Sequence, residues 1–262
     1  MLEWWRERRR DRILQQAFPD AQLAVLERNV KYYGRLRADE QKRLRDPVRV
    51  FVAEKTWEGC GGLVLTEEMK FTIAAQACLL VLELPHRLFA NVDSILVYPS
   101  TVLRPARKQG VFVRSGNLVD DGRIALLGEA HHGGPVILAW DRVLYDGRSA
   151  HDGHNLVYHE FAHKLDMLDG DFDGTPPLTS QAERERWRVV CERAFLALRA
   201  RVEHGQGSFL DDYGASNEAE FFAVATEAFF EQPRELQYVE PALYEILQEF
   251  YRQDPAAREL DG

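Results

Sequence analysis

Cysteine is scarce in this chain: 262 residues contain three, Cys60, Cys78 and Cys191. They are odd in number and far apart, without the close pairs that zinc or dithiol motifs require, so a disulfide framework is excluded and reduced thiols are expected. Long apolar stretches are missing as well. The longest, Ala77 to Leu82, falls far short of the roughly 20 residues that a membrane-spanning helix needs. Met1 to Arg12 has no apolar stretch of the kind a secretory signal carries, and a cytoplasmic protein is the expectation. A basic surplus is absent: 33 Lys and Arg stand against 42 Asp and Glu, for a net charge of -9. That balance argues against a whole-protein footprint on nucleic acid. No internal repeat, low-complexity tract or long flexible linker breaks the chain.

What is there is ordinary globular material, 45% hydrophobic, 11% aromatic and 29% charged, which leaves disordered, collagen-like and coiled-coil classes aside. The length suits one catalytic-size unit. The start, MLEWWRERRRDR, sets five Arg beside Trp4 and Trp5. We treat residues 1–20 as a basic, aromatic segment, a solvated helix start by default, and residues 21–262 as a single domain.

Leu23, Leu26, Val30 and Tyr33 recur at helical spacing, and Thr66 before Glu67 and Glu68 caps a helix running towards Leu84. From Asp93 the texture changes to short runs, SILVY, VFV, RIALL and VILAW, between SGN, DDG and HHGG turn signals, which predicts a small sheet over 93–140. Helical spacing returns at Asn155. Ser180 to Glu183 fits a capping box that opens a long helix, with Trp187, Val190, Cys191, Ala194 and Leu198 as its buried stripe and Gly205 as its end. Asn217 caps a third helix that Pro233 stops, and Pro241 starts a last one with Leu243, Ile246, Leu247 and Phe250 inward. Helices, a sheet, then helices again define the α+β class.

The segment NLVYHEFAHKLDMLDG contains His159-Glu160-Phe161-Ala162-His163, an H-E-x-x-H. Residues four apart share a helix face, so both imidazoles reach one Zn²⁺ while Glu160 lies beside the water on that ion. With eight histidines in the chain, the number of such matches expected by chance is on the order of 0.02. A hydrolytic zinc site also needs a third protein ligand and an open fourth position. Asp169 stands six residues after His163, as in one group of zinc proteases, but the Gly that such a geometry needs is replaced by Asp166. Asp166 itself, one turn from His163, reads equally as an acceptor that orients the imidazole or as a solvated acid at the helix end. Glu218, Glu220 and Glu227 on the helix after Asn217 are the other candidates, and spacing does not choose among them. Glu220 also fits an Asn217-initiated capping box.

HEFAHKLDMLDG followed by YGASNEAEFFAVATEAFFE resembles the Mlc titration factor A family of bacterial zinc metallopeptidases, which is related to the catalytic domain of anthrax lethal factor. The likeness extends into GPVILAW and the WWRERRRDRIL start. It implies a zincin-like α+β fold with a helical N-terminal part, a small mixed sheet and then active-site helices. It further implies one Zn²⁺ held by His159, His163 and Glu220, Glu160 as general base, and Tyr213 as the group that stabilises the oxyanion. The family is associated with aminopeptidase-type activity and with binding of Mlc, a repressor of glucose-uptake genes, so the expected partners are a peptide or protein substrate and that repressor.

Weaker signals remain. Pro135 at the head of PVILAW suggests a strand start or an edge strand on which a peptide could pair. His131 and His132 belong to a turn that could face the cleft, and His151 and His154 to the entry of the active-site helix. Asp169 to Gly174 matches the first half of a calcium loop, but its twelfth position is Ser180 instead of Glu. A polar loop is the expectation there.

Overall fold

Three short parallel strands carry the architecture, and nearly everything else is helix. The computed structural model describes residues 2–84, 89–100, 134–149 and 152–258. Helices α1 (Leu2–Leu14), α2 (Asp20–Asn29) and α3 (Ala38–Glu54) precede β1 (Thr56–Gly59) and α4 (Glu67–Leu80). Strands β2 (Ser94–Tyr98) and β3 (Val136–Ala139) lead into α5 (Trp140–Arg148) and α6 (Leu156–Asp166). The rest is α7 (Gln181–Glu203), α8 (Glu218–Glu231), α9 (Pro233–Val239), α10 (Pro241–Tyr251) and α11 (Pro255–Arg258).

The strand order is β1-β2-β3, with Thr56 opposite Ser94 and Ile95 opposite Val136. Both pairings are parallel, so the mixed character expected from the sequence is not seen among the described residues. The VFV and RIALL runs lie outside them, as do His131, His132 and His151. β1 is an addition. Its four residues, TWEG, alternate exposed and half-buried, a span too short to stand out from the helical texture on either side.

Helix ends follow local chemistry. Thr66 accepts from the Met69 amide and Ser180 and Glu183 close a reciprocal capping box, each satisfying amides that the first turn leaves orphaned. Gly205, at φ +64°, follows the end of α7, a conformation glycine adopts without steric cost. The stripe on α7 is Trp187, Ala194, Phe195 and Leu198, with Val190 and Cys191 only half-buried. Pro233 and Pro241 each occupy a first helical turn. At the N-terminus, α1 is tied to α3: Arg9 donates to the Ala53 carbonyl and Arg10 pairs with Glu54 at 2.7 Å. Trp4 and Trp5 stay about half exposed.

The core places α6. Phe161 meets Phe89 at 4.7 Å and Phe51 at 5.7 Å between ring centroids, while Tyr158 packs on Phe230 of α8 at 5.4 Å. Every residue of α6 from Val157 to Asp166 is buried. Such a helix can afford His, Glu and Lys only where partners or chemistry compensate the loss of water.

Candidate metal centre

The N-terminus of α6 is held by a buried polar network. Asn155 caps it, accepting from the Tyr158 amide at 3.0 Å, while the Asp146 carboxylate of α5 takes the Leu156 amide at 2.9 Å. The Asn155 side-chain amide donates to Gln76 of α4 and Glu231 of α8, and its backbone N–H donates to Glu227 at 2.6 Å. Burial raises the Asp146 pKa to about 6, against the Leu156 amide and Arg142, which favour its charge. Gly147 lets this layer close: a Cβ there would stand 2.5 Å from the Asn29 carbonyl oxygen. Asn155 is thus held from α4 and α8 while it caps the helix that carries the histidines.

On that helix His159 and His163 lie one turn apart and face α8. His159 Nε2 stands 3.0 Å from Glu220 Oε2, His163 Nε2 stands 3.4 Å from the same oxygen, and the two nitrogens are 3.2 Å apart. Ligand atoms around a tetrahedral ion at about 2.0–2.1 Å are separated by about 3.3 Å. The three atoms therefore have the mutual spacing of three corners of such a shell, in a donor set of two imidazoles and one carboxylate. Among the described residues this is the one group of three or more His, Cys, Asp or Glu side chains that could hold a metal ion.

The charges respond to one another. Burial opposes ionisation of Glu220, but hydrogen bonds and charge from His159 and His163 push its pKa down to about 2. His159 is buried, which disfavours its cation, yet Glu227 and Glu220 outweigh this and raise its pKa well above the ordinary histidine value.

The structure separates the carboxylates that the sequence left open. Glu227 takes the other face of His159: its Oε1 lies 2.7 Å from Nδ1, a contact that orients the ring and, with the proton on Nδ1, frees Nε2 to bind a metal. Glu218 is exposed in the first turn of α8. Asp169 is exposed and accepts from the Asp171 amide, outside the cluster. The capping reading of Glu220 is half realised, since Asn217 accepts from the Glu220 amide at 3.0 Å while the Glu220 carboxylate turns to the histidines. Asp166 departs from expectation. It is fully buried, but its Oδ2 accepts from the Gly174 amide at 3.0 Å, and neither its Oδ1 nor His163 Nδ1 has a hydrogen-bond partner among the described residues. The chain turns back after α6 and brings Gly174 onto Asp166, so the carboxylate is committed to the loop and not to the imidazole.

Glu160 is buried beside the cluster, and its Oε1 has no partner among the described residues. Burial raises its pKa, while the charges of His159 and His163 lower it. Lys164, one turn further on, is also buried; it donates from Nζ to the Gly134 carbonyl at 2.9 Å, tying the approach to β3 to α6. Tyr213 lies in the short helical turn Asp212–Ala215, where Asp211 accepts its amide at 2.7 Å. Its ring centroid is 6.1 Å from that of His159, and the Glu220 carboxylate acts on its hydroxyl. Burial and the nearby carboxylates raise the phenol pKa, so the hydroxyl keeps its proton at neutral pH. His154 sits just before the cap of α6 with Nδ1 3.5 Å from Asp211. The network of Asn155, Gln76, Asp146 and Glu231 was not anticipated. Only Asn155, a polar residue directly before a helical run, left a signal in the sequence.

A histidine pair on a buried helix, closed by a glutamate from the next packed helix and flanked by a second glutamate and a tyrosine, is the arrangement of a metallopeptidase. The chain belongs to the glucose-regulated metallo-peptidase M90 family, whose model matches residues 2–252. Among its relatives is the uncharacterized protein slr2042 of Synechocystis, 34% identical over 252 residues, which cover 96% of this chain and 90% of that protein. Mlc titration factor A of Yersinia pestis and of Yersinia pseudotuberculosis are each 33% identical over 235 residues, covering 88% of this chain and 84% of theirs. Among the described residues no helix is long and apolar enough to cross a membrane.

The carboxylate on His159 gives a first test. Glu227→Ala removes the acceptor that orients the ring and orphans the Asn155 amide. A loss of about 10–100-fold in metal affinity is expected, read by competition against a chelator. Glu227→Gln, which keeps an acceptor oxygen, loses less.

Proposed function

We propose that this protein is a cytoplasmic, zinc-dependent peptidase with a zincin-like catalytic domain over residues 21–262, in which His159, His163 and Glu220 hold one Zn²⁺. The observation that carries this reading is the 3.0–3.4 Å spacing of the three ligand atoms. Two nitrogens and one oxygen suit Zn²⁺, which binds borderline donors tetrahedrally and leaves a fourth position to water or substrate. When bound, Zn²⁺ lowers the pKa of water towards about 7 and polarises a carbonyl oxygen.

The protein's own residues do the rest. Glu160 accepts the proton of the attacking water and later delivers it to the leaving amine. Negative charge grows on the carbonyl oxygen as its carbon becomes tetrahedral, and the Tyr213 hydroxyl is the donor available to it on the Glu220 side. Tyr213→Phe removes a donor needed mainly in the transition state. Its kcat is expected to fall by about 10²–10³-fold, with KM and metal content close to those of the parent protein; a rise in KM alone would contradict this role.

β3, at an edge of the described sheet and tethered beside α6 through Lys164 and Gly134, is the strand on which a substrate backbone could pair. We assign peptide hydrolysis without restricting it to aminopeptidase action.

The name Mlc titration factor A, borne by relatives of this chain, supports a second role, binding a transcriptional repressor of the Mlc type and relieving repression of sugar-uptake genes. The two roles are separable. Zinc-loaded protein is incubated with a peptide library, with and without the repressor, beside Glu160→Gln. Cleavage lost in Glu160→Gln supports the peptidase. Repressor capture without cleavage in any arm overturns it in favour of a binding protein.

A further inference from the structure

Residues 168–173, which follow the helix of the metal centre, are all exposed, yet the segment is anchored tightly at its end. Gly174 is buried at φ +77°, and a Cβ there would stand 2.3 Å from the Glu218 carbonyl oxygen. Its amide donates to Asp166, and its carbonyl accepts from Trp187 Nε1 at 3.1 Å. Asp169 and Asp173 spend side-chain oxygens on the Asp171 and Thr175 amides, holding the loop's own turns. Three aspartates here do not converge as calcium ligands; they shape a polar loop. What this loop carries is Phe172, whose ring meets the His163 ring edge-on at 5.2 Å while 38% of the residue stays open to solvent. Leu168, in the turn leaving α6, is 42% exposed. An exposed aromatic side chain flanked by aspartates on a braced loop leaves apolar surface in water, against a histidine of the site.

We propose that Phe172 is a specificity-determining residue, the wall of a subsite that takes a large apolar side chain of the peptide next to the bond at the metal centre. This deepens the peptidase reading and rests on it for the place of the bond. The ring is held edge-on to His163, one of the three clustered ligands, and keeps open apolar surface beside that histidine. An aliphatic side chain laid against it removes apolar area from water on both partners. The polar residues Asp169, Asp171 and Asp173 around it offer no competing apolar surface.

The test uses zinc-loaded Glu160→Gln protein and a series of capped hexapeptides, each with Leu at one position of a Gly/Ser background, with binding measured by calorimetry. Leu at one position is expected to tighten binding by about tenfold. Phe172→Ser in the same background should erase that gain, Phe172→Leu should keep part of it, and Tyr238→Ser, an exposed change on α9, should keep all of it. Metal analysis of Phe172→Ser should show the full complement. No preferred position, a gain that survives Phe172→Ser, or loss of metal from that variant would each overturn the proposal. Cleavage of the same peptides by the protein with Glu160 intact separates the two readings: a Phe172-dependent binding preference without cleavage sinks the peptidase and keeps the subsite, whereas cleavage without that preference does the reverse.

Discussion

With Glu160 as the proposed general base, replacing it by Gln is expected to lower peptide hydrolysis by at least about 10²–10⁴-fold, the contribution of such a group when positioned, while the metal stays bound. Gln retains the shape of the side chain but cannot accept the proton of the attacking water. The metal should be indifferent, because the three clustered atoms belong to His159, His163 and Glu220, and Glu160 is not among them. Folding should not suffer either. Glu160 is a buried carboxylate whose pKa is raised by burial and whose Oε1 has no partner among the described residues, so neutralising it removes a cost of desolvation. Three measurements on one purified variant decide the matter: turnover, metal content and thermal midpoint. Normal turnover with a full metal complement would remove Glu160 from the mechanism.

Glu220→Ala is expected to lose the metal. Among the described residues its Oε2 is the one carboxylate oxygen within 3.4 Å of both inward-facing nitrogens, and two imidazoles alone leave the shell short of the three protein ligands that catalytic zinc sites use. The fall in affinity should exceed the about 10–100-fold of a supporting residue such as Glu227, and metal analysis after dialysis against a weak chelator reads it. Asp169→Ala is the control. Asp169 lies outside the cluster, so its variant should retain the metal; if it loses the ion and Glu220→Ala does not, the proposed ligand set is wrong.

Much of the local structure was legible because its causes are local. Thr66, Ser180 and Asn217 cap the helices they were expected to cap, since a side-chain oxygen three residues ahead of an orphan amide needs no tertiary partner. β1 was not legible, because four half-exposed residues gain their strand geometry only by pairing with Ser94 to Val97. Asp166, one turn from His163, reads along the chain as a partner of that ring or as a solvated helix-end acid, yet it is buried and accepts from the Gly174 amide instead. The mixed sheet is what the family resemblance implies, and the strands that are described run parallel.

The sequence by itself determined that two imidazoles would share one helical face with a carboxylate at the next position, because a spacing of four residues is a property of the α-helix alone. It did not decide which of Glu218, Glu220 and Glu227 would meet them. All three sit within ten residues of one another in the chain, and only the packing of α8 against α6 turns Glu218 to solvent, Glu220 to the nitrogens and Glu227 behind the ring. Distances between two helices are set by the side chains buried between them and by the Asn155 network beneath, and that information is not contained in the spacing along either one.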